Sequence, residues 1–308
     1  MLHEYALKIM YKDRDRDWFS DSIKMDQNIS DALSHDQPAA EKIYTPGAIY
    51  RKNNVYLETT HVDERSQRGL FTAMMGLPCF AVIAWSLIFF FQVIGDFSDG
   101  VDFWYFLLLA IIVVTIVAFI FLLLNLNVSK DWFTYRHGAI RFNRKTRQVH
   151  VFYSPDLGGP RSYNWDDMLA FVKNTKGDRY AVAMIAADPE RQRYYDSFAV
   201  GDEVHGREDC LAWWEYIRRF MEDGPDSVPE PDWYLTDNLS LKESFQRWFL
   251  TRELKQDRAR GMNTGPAVSR MILLSPFLTL FSFGHFISML TSKRVTWPED
   301  IRKACEEK

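Results

Sequence analysis

The sequence predicts a membrane α+β protein: a transmembrane helical hairpin joined to a cytoplasmic antiparallel β domain, pleckstrin-homology-like and capped by an amphipathic helix. Three observations predict it. Leu70 to Ile94 carries no charged residue over 25 positions, and Phe103 to Leu124 none over 22. Short β-rich runs set off by Gly, Pro, Asn and Asp lie on both sides of that pair. A helix-periodic segment that stops at Gly224-Pro225 follows the last of them. The expected division is an N-terminal cytoplasmic region (1–69), the hairpin (70–125), a β-rich domain with its closing helix (126–225), and a region (226–308) with a linker, an amphipathic helix and a membrane-associated segment.

The N-terminal region opens with "KDRDRDW" (Lys12 to Trp18), whose alternating charges read as a surface stretch. "AIYRKNNVYLETTHV" (Ala48 to Val62) reads as two strands around a "KNN" turn, available to join the later sheet. The charged leader before Leu70 exceeds sixty residues, so a cleaved signal peptide is not expected.

The second apolar run spans about 33 Å as a helix, enough to cross a hydrocarbon core of about 30 Å. Leu, Ile, Phe and Val fill 17 of its 22 positions, which favours insertion over burial in a soluble core. Gly76 and Pro78 predict a kink in the first run. The connector "GDFSDGVD" has three aspartates and no Lys or Arg. Arg51, Lys52, Arg65 and Arg68 precede the pair, and Lys130, Arg136, Arg141, Arg144, Lys145 and Arg147 follow it. Both flanks of this multi-pass protein are therefore expected in the cytoplasm.

"AIRFN" and "QVHVFY" flank "RKTR" and predict a hairpin with a four-residue turn. Ile140 and Phe142 share the face of Val149 and Val151; Arg141 and His150 take the other, expected to be solvated. At the membrane surface, Arg141, Arg144, Lys145 and Arg147 are expected to touch anionic headgroups. Strands follow at Arg161 to Trp165, Leu169 to Asn174, Tyr180 to Ala187 and Tyr194 to Val200. The closing helix runs from Arg207 to Asp223, with Leu211, Trp214, Ile217 and Met221 on the face that covers the sheet.

"EDGPDSVPEPDW" reads as a linker. Ser240, with Glu243 three residues on, predicts the start of a second amphipathic helix bearing Leu241, Phe245, Trp248 and Leu254. Met271 to Leu290 is apolar but has a polar stripe of Ser275, Thr279, Ser282, His285 and Ser288. Pro276 and Gly284 interrupt it, so an interfacial or re-entrant segment is expected. Packing against the hairpin accounts for the stripe more simply than a pore around His285 does.

No catalytic motif is present: no G-x-S-x-G, H-E-x-x-H, C-x-x-C, Walker or G-x-G-x-x-G pattern. Asp202, Glu203, His205, Glu208 and Asp209 gather in one stretch, but a solvated loop entering an acidic helix start explains them. No enzyme, cofactor or metal is expected. The net charge of −4 excludes a basic excess, and no nucleic-acid partner is expected. Cys79, Cys210 and Cys305 lie too far apart for a disulfide framework, and the first two read as small hydrophobes.

"WFTYRHG" with "IRFNRKTRQVHVF", "NWDDM" (Asn164 to Met168), "WWEYIRRFMEDGP" (Trp213 to Pro225) and "WPEDI" (Trp297 to Ile301) resemble a proteobacterial inner-membrane protein family of unknown function, often encoded beside type VI secretion genes. The resemblance spans roughly 130–300 and carries no assigned functional residue. It implies a non-enzymatic immunity or accessory protein that binds a secreted toxin. Two alternatives stand beside it: a membrane-inserting, depolarising effector, and a membrane-anchored sensing module that binds lipid or protein. The sequence leaves the oligomeric state open.

Overall fold

The computed structural model describes residues 23–24, 31–61, 68–76, 81–82, 84–89, 91–92, 107, 110–118, 131–188 and 193–306. The "KDRDRDW" stretch, Cys79 and the acidic connector lie outside them. The chain divides into two compact units. The first takes residues up to Ser66, His137–Asp237 and Arg294–Lys308; the second takes Gln67–Arg136 and Asn238–Lys293.

The first unit holds two antiparallel sheets. Strands β1 (Ile23–Lys24), β7 (Met168–Lys176), β8 (Arg179–Asp188) and β9 (Arg193–His205) form a four-stranded sheet in the order β1-β9-β8-β7. Strands β2 (Ile49–Lys52), β3 (Tyr56–Thr60), β4 (Ala139–Asn143), β5 (Gln148–Val151) and β6 (Arg161–Asn164) form a five-stranded sheet in sequence order. The β4–β5 hairpin turns through Arg144–Arg147, as its alternation predicts. β3, from upstream of the apolar runs, pairs β4, from downstream of them, in register from Tyr56↔Asn143 to Thr60↔Ala139. His61 N donates to Gly138 O at 2.9 Å, extending that pairing by one rung.

The alternation has a physical consequence in both sheets. Ile49, Leu57, Ile140, Phe142, Val149, Val151 and Tyr163 point into one core with Val182, Met184, Phe198 and Val200. Helix α1 (Arg207–Glu222) completes that core with Trp213, Trp214, Ile217 and Phe220. Gly201 has φ +84, and a Cβ there would collide with the Trp213 indole, which donates to Val200 O at 3.1 Å.

α1 is buried more completely than a single covering face predicts, because residues 31–45 lie along its other side. Tyr44 N bonds Ala212 O and Ala39 N donates to Glu215 Oε2 at 2.9 Å, both on α1, while Leu33 N ties the segment to Ala170 O of β7. Glu215 is fully buried and also accepts from Arg218 and Arg219. The expected linker is likewise part of the unit: Tyr216 Oη donates to Pro229 O, and Val228 is buried.

In the second unit, a π-helical turn at Thr72–Gly76 stands at the start of the first apolar run, just before Pro78. Asp131 caps it, its Oδ2 accepting from Gly69 N and Thr72 N at 3.1 and 3.0 Å. Residues 84–89 and 110–118 are helical, with Trp85, Ile88, Ile111 and Val114 exposed. Helix α2 (Leu241–Trp248) starts at Ser240, whose hydroxyl accepts from Glu243 N at 3.3 Å. The chain then turns at Leu250 in the left-handed region (φ 44) and restarts as α3 (Thr251–Ala259), so one expected helix is two.

Helix α4 (Gly265–Thr291) runs unbroken for 27 residues, and Pro276 and Gly284 do not interrupt it. The expected re-entrant break is thereby corrected. Gly284 is there for packing: its Cα faces Gly69 O and Ala73, leaving no room for a Cβ. Among the described residues, α4 is the helix long and apolar enough to cross a membrane. The short helix α5 (Glu299–Ala304) closes the chain and belongs to the first unit.

Candidate functional site

The strand register sets one polar residue from each strand in a row across the outer face of the five-stranded sheet. Arg51 lies opposite Glu58, Glu58 opposite Arg141, Arg141 opposite His150, and His150 opposite Ser162. The same alternation that sends Leu57, Phe142 and Val149 to the core puts these five residues on the other side.

The middle of that row is not solvated, although Arg51 and Ser162 at its two ends are exposed. Glu58, Arg141 and His150 are 4%, 5% and 1% exposed, which corrects the expectation for Arg141 and His150. The cause is the segment after α4. Trp297 Nε1 donates to Glu58 Oε2 at 3.1 Å, and its ring lies 4.8 Å from the Arg141 guanidinium carbon. The Tyr56 ring lies 4.2 Å from the same carbon, so two aromatic faces hold the cation. Asn143 Nδ2 donates to Ala304 O at 2.9 Å and ties down the end of α5.

Arg141 Nε donates to Glu58 Oε2 at 2.8 Å. His137, stacked on Tyr50 at 4.0 Å, places Nε2 4.0 Å from Glu58 Oε1, an electrostatic contact beyond hydrogen-bond length. Burial opposes the charge on Glu58, but His137 and Arg141 outweigh it and hold the carboxyl at about 2. Burial, reinforced by Arg141, lowers His150 to about 4, so the ring is neutral near pH 7. Its Nδ1 lies 2.7 Å from Ser162 Oγ.

Ser162 also lines a cleft of about 420 Å³ with Arg161, Tyr163, Asn164 and Asp167. Buried Asp196 fixes the cleft wall, accepting from Tyr163 Oη, from Arg161 Nη1 at 2.7 Å and from Tyr153 Oη at 3.3 Å. Burial and Asp196 push the Tyr163 phenol above its ordinary range. The cleft opens at β6, the edge strand of its sheet.

The residues expected at the membrane surface therefore separate. Arg141 is withdrawn by burial. Arg147 is held by Asp166 and by Glu222, donating from Nη1 to Glu222 Oε2 at 3.0 Å. Arg144 is half-buried, and Lys145 at the turn is exposed. In the acidic stretch, Glu203 pairs with Arg179 at 3.3 Å. Among the described residues, no three His, Cys, Asp or Glu side chains converge as a metal site requires. Cys210 is buried in the core, which pushes its thiol up to about 12.

The polar stripe of α4 lies within the second unit. Ser275 and Thr279 are half-buried, while Ser282, His285 and Ser288 are buried. His285 Nδ1 lies 2.8 Å from Ser244 Oγ of α2, and Ser288 Oγ donates to Asp131 O at 2.9 Å. Both are hydrogen bonds within the second unit.

Sequence reasoning missed Glu58, His137, Asp196 and Glu215. Alternation gives the strand positions of Glu58 and Asp196, but not the segments that cover them, and it says nothing of His137 or of Glu215 on its helix. The model of a family of unknown function (DUF6708) matches residues 112–308. No curated protein and no solved structure matches the chain.

Proposed function

The chain belongs to this family of unknown function, and we propose that it is a non-enzymatic, membrane-anchored binding protein of the bacterial inner membrane. The observation that carries this reading is the His61–Gly138 backbone bond. It means that residues 62–137, with both apolar runs, leave one sheet and return to it. A chain that returns crosses a bilayer an even number of times, and two runs of 25 and 22 uncharged residues meet that condition as a hairpin. The Lys and Arg on both flanks favour a cytoplasmic β unit.

The order of strands β2–β6 in one sheet, β7–β9 in the other, then α1, supports a pleckstrin-homology-like roll with the hairpin inserted between β3 and β4. The edge of β6 and its cleft are the place for a protein partner. The sequence resemblance gives that partner a class, a secreted toxin, and this chain the role of immunity or accessory protein.

The test is survival of cells expressing the neighbouring toxin, with and without this chain. Protection together with co-purification of the toxin supports immunity. Toxicity without protection or binding contradicts it, and loss of viability from this chain alone makes it the effector.

A further inference from the structure

We propose that α4, although long enough to cross a bilayer, lies instead along the cytoplasmic surface of the membrane, with its apolar side in the acyl boundary and anionic headgroups around the neighbouring basic helices. The inference rests on the membrane-anchored reading above and specifies how the C-terminal region meets lipid.

The first observation is a count of crossings. Residues 238–293 leave the first unit after Asp237 and rejoin it at Arg294. Those two residues are themselves ion-paired, Arg294 Nε to Asp237 Oδ2, at 3.9 Å. The tail beyond Arg294 is fixed to the outer face of the β-sheet through Trp297 and Asn143. A segment whose two ends touch crosses an even number of times. Every residue of it is described, and it contains one helix apolar enough to cross. The return path would be α3, "TRELKQDRA", with five charged residues in nine. Such a segment does not cross hydrocarbon. The even number is therefore zero.

The second observation is where α4 is seated. Its last turns pack on the start of the first apolar run, with Gly284 against Gly69 and Ala73. Ser288 and Ser292 both donate to Asp131 O, just past the second run. These contacts place the end of α4 at the mouth of the hairpin, at the level where the bilayer begins.

The third is the chemistry of its free side. Ile272, Leu273, Phe277, Phe283 and Leu290 are 70%, 78%, 58%, 43% and 58% exposed. At about 100° per residue they share an arc of roughly 140°. The opposite side carries Ser282, His285 and Ser288, which are covered, and opens only towards its start, where Leu274 is 39% exposed. From Leu241 to Arg270 the chain holds seven Lys or Arg against three Asp or Glu. An apolar helix face flanked by net positive charge matches an anionic bilayer surface rather than another apolar protein face.

The test uses the full-length chain in membranes, with single cysteines at Met262→Cys, before α4, and Lys303→Cys, after it. A membrane-impermeant maleimide applied to spheroplasts is expected to miss both, and to label both once the membrane is permeabilised. Labelling of either one from outside would mean that α4 crosses, and would overturn the proposal. Ser98→Cys, in the connector, reads the hairpin separately: its labelling from outside supports the anchor, and its protection would remove the hairpin without deciding α4. For lipid contact, a bimane on Leu273→Cys in anionic proteoliposomes is expected to lose most fluorescence to a nitroxide placed near the headgroup. Stronger loss to a nitroxide at the bilayer centre would contradict a surface helix. No loss to either would mean that something other than lipid, such as a second copy of the chain, covers this face.

Discussion

Trp297 donates its indole N–H to Glu58 at 3.1 Å, across 239 positions of sequence. One side chain from the tail thus fastens onto a strand that precedes the first apolar run. Because β3 is also paired with β4, three separated parts of the chain meet on one sheet face.

Removing the Glu58 carboxylate leaves Arg141 buried and uncompensated. Glu58→Gln is expected to destabilise the β unit by about 3 kcal/mol, as breaking a buried pair generally does. Replacing Glu58 and Arg141 together with apolar residues recovers part of the loss. Denaturant unfolding of the three variants checks both statements; equal stability of Glu58→Gln and the parent chain would refute the pairing argument.

The same pair sets an acid limit. The folded-state pKa of Glu58, about 2, lies below its ordinary 4.5, so its contribution is complete above pH 4.5 and is lost as pH falls towards 2. The window is worth about 3 kcal/mol at the linkage slope. Glu58→Gln is expected to flatten the stability curve in that range, measured by unfolding between pH 5 and pH 2.

His150 acts at milder pH. Its folded pKa of about 4 lies below the ordinary 6.5, so the unfolded chain binds the proton more readily. Stability is full above pH 6.5 and declines as pH falls towards 4, by up to about 2 kcal/mol at pH 5. His150→Gln is expected to lose that dependence, visible as a smaller drop in Tm between pH 7 and pH 5.

Trp297→Ala removes the cover from Arg141, the donor to Glu58, and an edge contact with Phe152 at 5.7 Å. The expected cost is about 2–3 kcal/mol, concentrated in the tail. Amide exchange over 294–305 should rise well above that over β7–β8. Uniform exchange across the unit would show that the tail and sheet unfold together.

Glu215→Gln tests the N-terminal cover on α1. Glu215 loses its charge towards Arg218 and Arg219 while its bond to Ala39 N weakens. We expect faster amide exchange in 31–45 with α1 itself little changed. The reverse pattern would mean that Glu215 stabilises the helix alone.

Local features were legible where the chain itself decides them. The Arg144–Arg147 turn follows from flanking alternation, the start of α2 from Ser240 and Glu243, and the end of α1 from Gly224-Pro225. What stayed hidden was any burial imposed from afar. Arg141 and His150 occupy positions that alternation assigns to the outer face, and only the tail, more than 140 residues later, covers them there. Glu215 lies outside the face of Leu211, Trp214, Ile217 and Met221, and it is residues 31–45 that bury it. The polar stripe of α4 was visible from its spacing, but Ser244 and Asp131, which bond His285 and Ser288, come from segments with no shared pattern.

The central claim is that one β unit is assembled across the ends of a double membrane crossing. Its most direct test is alkaline phosphatase inserted into the full-length chain at Ser98 in the connector and at Gly177 in the exposed β7–β8 turn. The account predicts an active enzyme at Ser98 and an inactive one at Gly177. Equal activity at the two positions would contradict it.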